Sequence, residues 1–389
     1  MSRHCAVLLL LLAGLQSTVA AAQTLAIRVV DGEGAALGLT SVVIRPASDT
    51  AATIRRLTNG AGILRHPVTA GQYTVIARQV GFRADSTMVS SESVGAGTVT
   101  LRLQRIPQAL VAMVVRESAD CSVTAGRADA DESLWDEVVK GIEARSLVRQ
   151  TYRFERRYHR VIRQNPSIGG TRERVTDSVE VNDPGARDMK GRYTSGGYTA
   201  RSGRTTNVRV FDESDLTQES FIRFHCHGAP WRDTADGSVR IAFAPRLRIR
   251  GADDENLVRG IIVMDGSTWR MRSVSYEYVR DGKPVGHGSV EYAPVTLDGS
   301  VIAMPSKAVG DLTLRGRFGL GSQLASWTID QSYDAFTRVG DPAPCRGRPE
   351  KATGHCADVK LTSDCSLPYL AGAINSTTDT TKSTPSGAT

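Results

Sequence analysis

Long apolar runs, lysine and the short signatures of catalysis are all scarce in this chain of 389 residues. The one dense apolar stretch, around Leu8–Leu12, is too short to remain in a bilayer as an anchor. Only 7 of the 48 basic residues are lysine, and the arginines follow alternating patterns, as in Arg153, Arg156, Arg157, Arg160 and Arg163, instead of gathering in one tract. A net charge of +7 spread in this way predicts a solvated sheet face and argues against a nucleic-acid binder. An anionic partner, such as a lipid headgroup or an acidic glycan, is the weaker alternative. No histidine has a glutamate three residues on, and H-E-x-x-H, G-x-S-x-G, G-x-x-x-x-G-K and G-x-G-x-x-G are all missing. Zinc peptidases, serine hydrolases with a nucleophile elbow and nucleotide-dependent enzymes lose their usual support. The expectation leans to a protein with no cofactor, no metal and no catalytic residues, and the question of an enzyme stays open.

What is present begins with an export signal. Arg3 and His4 precede the apolar Ala6–Leu15, and Ala20-Ala21-Ala22 supplies small residues for cleavage, so residues 1–22 are expected to be removed and the mature chain to begin near Gln23. No cysteine directly follows the apolar run, where a lipid anchor would need one. The expected destination is the periplasm or an outer-membrane association, with no transmembrane span in the mature chain. Five cysteines follow the signal: Cys121, Cys226, Cys345, Cys356 and Cys365. An exported compartment permits disulfides, and an odd count leaves at least one thiol over. Cys121–Cys226 is the expected pair; the connectivity of the last three stays open.

Residues 24–104 alternate apolar and polar side chains. Leu25, Ile27 and Val29 share a face, as do Val42 and Ile44, then Tyr73, Val75 and Ala77, then Val99, Leu101 and Leu103. Asp31-Gly32-Glu33-Gly34 and Asn59-Gly60-Ala61-Gly62 supply turns between the runs. The order VVDGEGAALGLTSVVIRP, then LTNGAGILRHPVTAGQYTVIARQVGF, resembles the carboxypeptidase regulatory-like, transthyretin-type family of β-sandwich modules. The resemblance implies a β-sandwich over 23–105 and an accessory role in the bacterial cell envelope, with no catalytic residues to carry over. The hydrophobic RIPQALVAMVVRE at 105–117 is similar to the linker that follows this module in TonB-dependent receptors; a strand pairing with one of the domains is the preferred alternative. A linker is expected over 106–128.

The rest predicts one helix and many strands. Over 129–147, Asp129 can cap with Glu132 as its partner, and Leu134, Trp135, Val138 and Ile142 form an apolar stripe. Ser214 to Phe224 suits a second short helix. From 150 to 337 alternating runs are separated by turns such as Asp265-Gly266, Asp281-Gly282 and Asp298-Gly299, which predict hairpins. The fold expected for 129–340 is a curved antiparallel sheet, a half-barrel, with one packed helix, and it resembles the lipoprotein-carrier (LolA-like) type in architecture. A cysteine- and proline-rich segment at 341–374 and a disordered polar tail at 375–389 complete the chain.

The concave face of that sheet is the expected binding surface, with Tyr152, Phe154, Tyr158, Trp269, Tyr276 and Tyr278 as candidates for lining it, although most could equally be core. His225-Cys226-His227 puts two imidazoles on one side of a strand, where they could share zinc if a third ligand existed. A disulfide through Cys226 flanked by surface histidines is the simpler account. Three functions follow: a non-catalytic exported binding protein for an envelope lipid, a glycan or an outer-membrane protein; a hydrolase with a metal site around His225 and His227; or a structural or receptor-associated module acting by strand addition.

Overall fold

The computed structural model describes residues 23–49, 52–91, 97–106, 129–165, 170–182, 184, 199–202, 205–208, 211–228, 230–245, 257–280, 282–315, 322–339 and 374–376. The expected signal, the linker over 107–128, Cys121, Cys345, Cys356 and Cys365 lie outside these residues.

The N-terminal part is a β-sandwich of seven strands. One sheet has the order β4 (Ile63–Val68), β1 (Gln23–Asp31), β7 (Thr98–Leu103), with β1 and β7 parallel. The other has the order β3 (Ile54–Leu57), β2 (Ser41–Pro46), β5 (Gln72–Arg78), β6 (Asp85–Ser90). Alternation decides what lies between them. Leu25, Ile27 and Val29 meet Val42, Ile44, Tyr73, Val75, Ala77, Leu101 and Leu103 in one buried core. Asn59 Oδ1 accepts from the N–H groups of Ala61 and Ile63 at 3.1 and 2.9 Å, which fixes the turn into β4.

Helix α1 (Asp129–Thr151) runs four residues past the predicted end. Leu134, Val138 and Ile142 are buried as the stripe predicts; the side chains of Asp129 and Glu132 lie outside the described residues. The extra turn has its own apolar partners, Leu147 and Val148, which enter a core with Leu39 and Leu57 of the sandwich and with Tyr152, Phe154, Leu297, Ile302 and Met304 of the second sheet. Polar contacts continue the same seam. Glu143 receives Arg55 at 2.6 Å and Arg78 at 3.1 Å, Glu137 accepts from the Gly81 N–H at 2.6 Å, and Lys140 donates to the Phe82 carbonyl at 2.8 Å. Sandwich and second sheet are therefore packed through the helix.

The second sheet is antiparallel and curved. Strands β8 (Tyr152–Asn165), β9 (Arg172–Asn182), β12 (His225–His227), β14 (Val239–Pro245), β15 (Leu257–Met264), β16 (Met271–Arg280), β17 (Lys283–Leu297), β18 (Ser300–Arg315) and β19 (Ser322–Arg338) take the order β12-β14-β15-β16-β17-β18-β19-β8-β9, and β13 (Trp231–Arg232) also pairs with β14. The β14–β19 meander follows the predicted Asp-Gly turns. At Asp298-Gly299 both residues have positive φ, 48° and 78°, the conformation a two-residue hairpin of this hand requires. The first hairpin, β8–β9, does not begin the meander; it closes onto the last strand, β19. Between β9 and β12 lie β10 (Thr199–Ser202) and β11 (Thr205–Val208), then a 3-10 turn (Glu213–Thr217) and α2 (Glu219–Phe224), where the sequence suggests a short helix. Strand β20 (Ile374–Ser376) pairs with β11, so regular structure extends two residues beyond the expected boundary at 374.

Candidate functional site

Register turns the alternation of nine strands into continuous rows across the inner face of the sheet. One row reads His227, Phe243, Gly260, Tyr276, Gly288, Gly310, Trp327, Ile162, Arg174. The row on one side reads Ile241, Ile262, Val274, Val290, Ala308, Ile329, Arg160, Thr176, and the row on the other runs from Val258 and Tyr278 through Gly286, Leu312 and Ala325 to Gln164 and Arg172. All three rows are apolar or glycine from β15 to β19, apart from the tyrosine hydroxyls; two turn polar at β8, where the first keeps Ile162, and all three are polar at β9.

The glycines in the first row are filled by rings. A Cβ built on Gly260 would lie 2.7 Å from the Phe243 ring, one on Gly288 2.5 Å from the Tyr276 ring, and one on Gly310 2.6 Å from the Trp327 ring. Each aromatic side chain lies over the glycine of the neighbouring strand, which gives a flat aromatic floor.

Most of that floor is sealed. Phe211 packs on Tyr276 and Phe243 with ring centroids 4.7 and 5.9 Å apart, and Leu134, Val138, Ile142, Leu216 and Phe221 join the same core. Polar groups inside this lid are matched only in part: Asp212 Oδ2, both Glu213 carboxylate oxygens and the Tyr276 and Tyr292 hydroxyls make no hydrogen bond. The Tyr278 hydroxyl accepts the Phe211 N–H at 3.0 Å, and Arg145 meets Glu213 at 3.2 Å while lying over the Tyr292 ring. Asp212 caps the 3-10 turn through the Ser214 N–H at 2.8 Å. Burial, then the charges of Glu213 and Asp215, push the Asp212 carboxyl well above its ordinary value. Burial likewise raises the Tyr276 and Tyr292 phenols well above theirs, so both stay neutral.

The β8–β9 end differs. Tyr158, Arg160 and Ile162 are half-buried, and Arg172 and Arg174 are exposed. Arg160 lies over the Tyr158 ring at 5.6 Å, and the pair Arg156–Glu180 sits beyond it, with Tyr158 donating to Glu180 at 3.0 Å. Among the described residues Arg160, Arg172 and Arg174 enter no ion pair. Four buried polar atoms also lack a hydrogen-bond partner here: Arg160 Nε, Trp327 Nε1, and both Gln331 amide atoms. Gln331 is directly opposite Tyr158, and Trp327 is opposite Ile162. An unsatisfied buried polar group costs about 1–3 kcal/mol, and Trp327 and Gln331 carry such groups beside the guanidinium groups of Arg160, Arg172 and Arg174.

The candidates named from sequence divide among three places. Tyr152 and Phe154 lie in the core shared with the sandwich, where burial and Asp298, at 2.6 Å from the Tyr152 hydroxyl, push that phenol up to about 12. Trp269, Tyr276 and Tyr278 are fully buried beneath the lid. Tyr158 alone stands at the open end. The histidines expected at the surface are packed instead: His225 is buried, stacked flat on Phe221 at 3.8 Å with Nδ1 3.0 Å from the Phe221 carbonyl, and His227 stacks on Trp135 at 4.6 Å. No group of three or more His, Cys, Asp or Glu is placed to hold a metal among the described residues. Cys226 is disulfide-bonded. The acidic turn at 212–215 and the arginine corner went unnoticed in the sequence. Asp212 with Asp215 as a cap pair was the available signal for the first; the second emerges only from register.

No family model matches the sequence, and no curated protein matches it. Among solved structures the chain is similar to a LolA superfamily protein from Nitrosomonas europaea at 11% identity, over 53% of this chain and 94% of that one, with a TM-score of 0.24. A likeness that slight carries no function across.

Proposed function

We propose that this is a non-catalytic, exported cell-envelope protein that binds an anionic amphiphile at the β8–β9 end of its inner face. The observation that carries this is the arginine corner at the margin of the aromatic floor. Arg160, Arg172 and Arg174 would take the charged head, with Trp327 Nε1 and the Gln331 amide supplying further hydrogen bonds. Ile162, half-buried beside Arg160, would meet the apolar part. The floor beneath Phe211 is already filled, so the ligand engages the open end and not the whole sheet. The export signal and the resemblance of residues 24–104 to carboxypeptidase regulatory-like modules support an envelope setting, periplasmic or associated with the outer membrane.

The test is a titration of the purified chain with micelles of an anionic phospholipid and of a zwitterionic one, read by tryptophan fluorescence and by thermal shift. The anionic lipid is expected to bind at least about tenfold tighter, and Arg160→Gln with Arg172→Gln to abolish the preference without altering circular dichroism. Equal binding of both lipids, or none of either, sinks the proposal.

A further inference from the structure

Strand β9 ends the large sheet, and among the described residues no strand pairs with its outer edge. It is eleven residues long, and Val175, Val179 and Val181 are 50%, 54% and 53% exposed on one face. Bare edges of this length are normally shortened, bulged or covered, because they template pairing with another strand. On β9 no bulge interrupts the register with β8 from Phe154–Asn182 to Gln164–Arg172.

The edge is also complementary to itself. When two copies of Arg172–Asn182 are laid antiparallel about a two-fold axis at Asp177, Val175 falls opposite Val179, Arg174 opposite Glu180 and Thr176 opposite Ser178, each pair occurring twice. Apolar, opposite-charge and hydroxyl pairs directly across two strands are the combinations that stabilise a sheet. Moving the axis by one residue, to Thr176 or to Ser178, destroys most of them: Val175 then faces Asp177, or Val179 does. Arg174 has no ion-pair partner in its own chain among the described residues, so the second copy would supply one. Like charges meet only at Asp177, which already holds His159 at 2.7 Å.

We propose that β9 is a homodimerisation edge at which two copies of this chain join their sheets antiparallel, with Asp177 on the two-fold axis. Such an interface is isologous and closes on itself, so it gives dimers and not fibres. One strand pair buries less than the ~1,200 Å² of a standard interface, so the dimer is concentration-dependent. The dimer and the lipid head would share only Arg174, which faces Glu180 of the second copy; Arg160 and Arg172 lie outside that pair and stay available to the lipid.

Sedimentation equilibrium of the full chain tests association, and thiol crosslinking tests register. A reversible monomer–dimer equilibrium with Kd below ~1 mM is expected, weakened at least about tenfold by Val179→Lys. Because residues directly opposite in antiparallel strands lie about 4.5–5.5 Å apart, within disulfide reach, Asp177→Cys should crosslink to itself through the tryptic peptide 175–187. Val175→Cys should crosslink to Val179→Cys only when the two variants are mixed. A chain that stays monomeric, a dimer indifferent to Val179→Lys, or crosslinks in another register overturns the proposal. So does protection of the β9 amides that arises only when a different envelope protein is added, which would assign the edge to a foreign strand.

Discussion

Single side chains here are often used in roles their chemistry does not advertise. Histidines pack as flat rings and tyrosines stay neutral, while a carboxyl sits where ionisation is costly. Asp212 shows the consequence for pH. Its carboxyl titrates in the fold above its ordinary 3.8 because burial disfavours the charged form. Well below that ordinary value both folded and unfolded chains keep the proton, and the group is neutral in the balance. Above it the unfolded chain releases the proton while the fold retains it, so stability falls as pH rises until the folded group also ionises. Asp212→Asn keeps the acceptor for the Ser214 N–H and removes the titration. Urea unfolding at several pH values between about 4 and 7 should give a flatter stability curve for the variant than for the parent. An unchanged slope would mean that Asp212 is ionised inside the fold.

At the scale of elements, strands were more legible than their partners. Alternation in β1, β2, β5 and β7 predicted which side chains are buried, and the Asp-Gly turns placed the hairpins of the meander. The apolar stripe of α1 was readable, but its last turn was not, because Leu147 and Val148 face a different core from Leu134 and Ile142. Pairing of β8 with β19 left no local trace, since the two strands are far apart in the chain and nothing near either names the other. The glycine row was obscured for a related reason. Gly286 and Gly288 look like turn residues in VGHGSVEY, yet they lie inside β17, Gly288 under the Tyr276 ring and Gly286 against the Asp311–Leu312 backbone. Gly288→Ala would drive a methyl group into the Tyr276 ring, an overpacking expected to cost about 1–3 kcal/mol in urea denaturation. Full stability in that variant would show that the ring can leave its place over the strand.

The whole molecule depends on a helix held from two sides. Lys140 is buried against Glu137 at 2.5 Å and reaches the Phe82 carbonyl, so it links the helix to the sandwich. Removing one member of a buried ion pair leaves the other uncompensated and costs about 3–5 kcal/mol. Lys140→Ala should lose that amount and, in calorimetry, separate one cooperative transition into two, with the sandwich melting apart from the large sheet. A single transition at the parental temperature would contradict the coupling. Alternation gave the sequence reading each sheet, but it could not reveal this seam, whose residues come from Arg55, Arg78, Gly81 and Phe82 on one side and Glu137, Lys140 and Glu143 on the other. It likewise told which tyrosines share a side, not which side stays open to solvent.

Thr151 ends the helix and Tyr152 begins the strand, with no residue between them to act as a joint. The helix and β8 therefore behave mechanically as a single bent rod, gripped by the sandwich at one end and carrying Arg156 and Arg160 along the other. A pull on the N-terminal domain is delivered to those guanidinium groups as a displacement of backbone, without any intervening loop to absorb it.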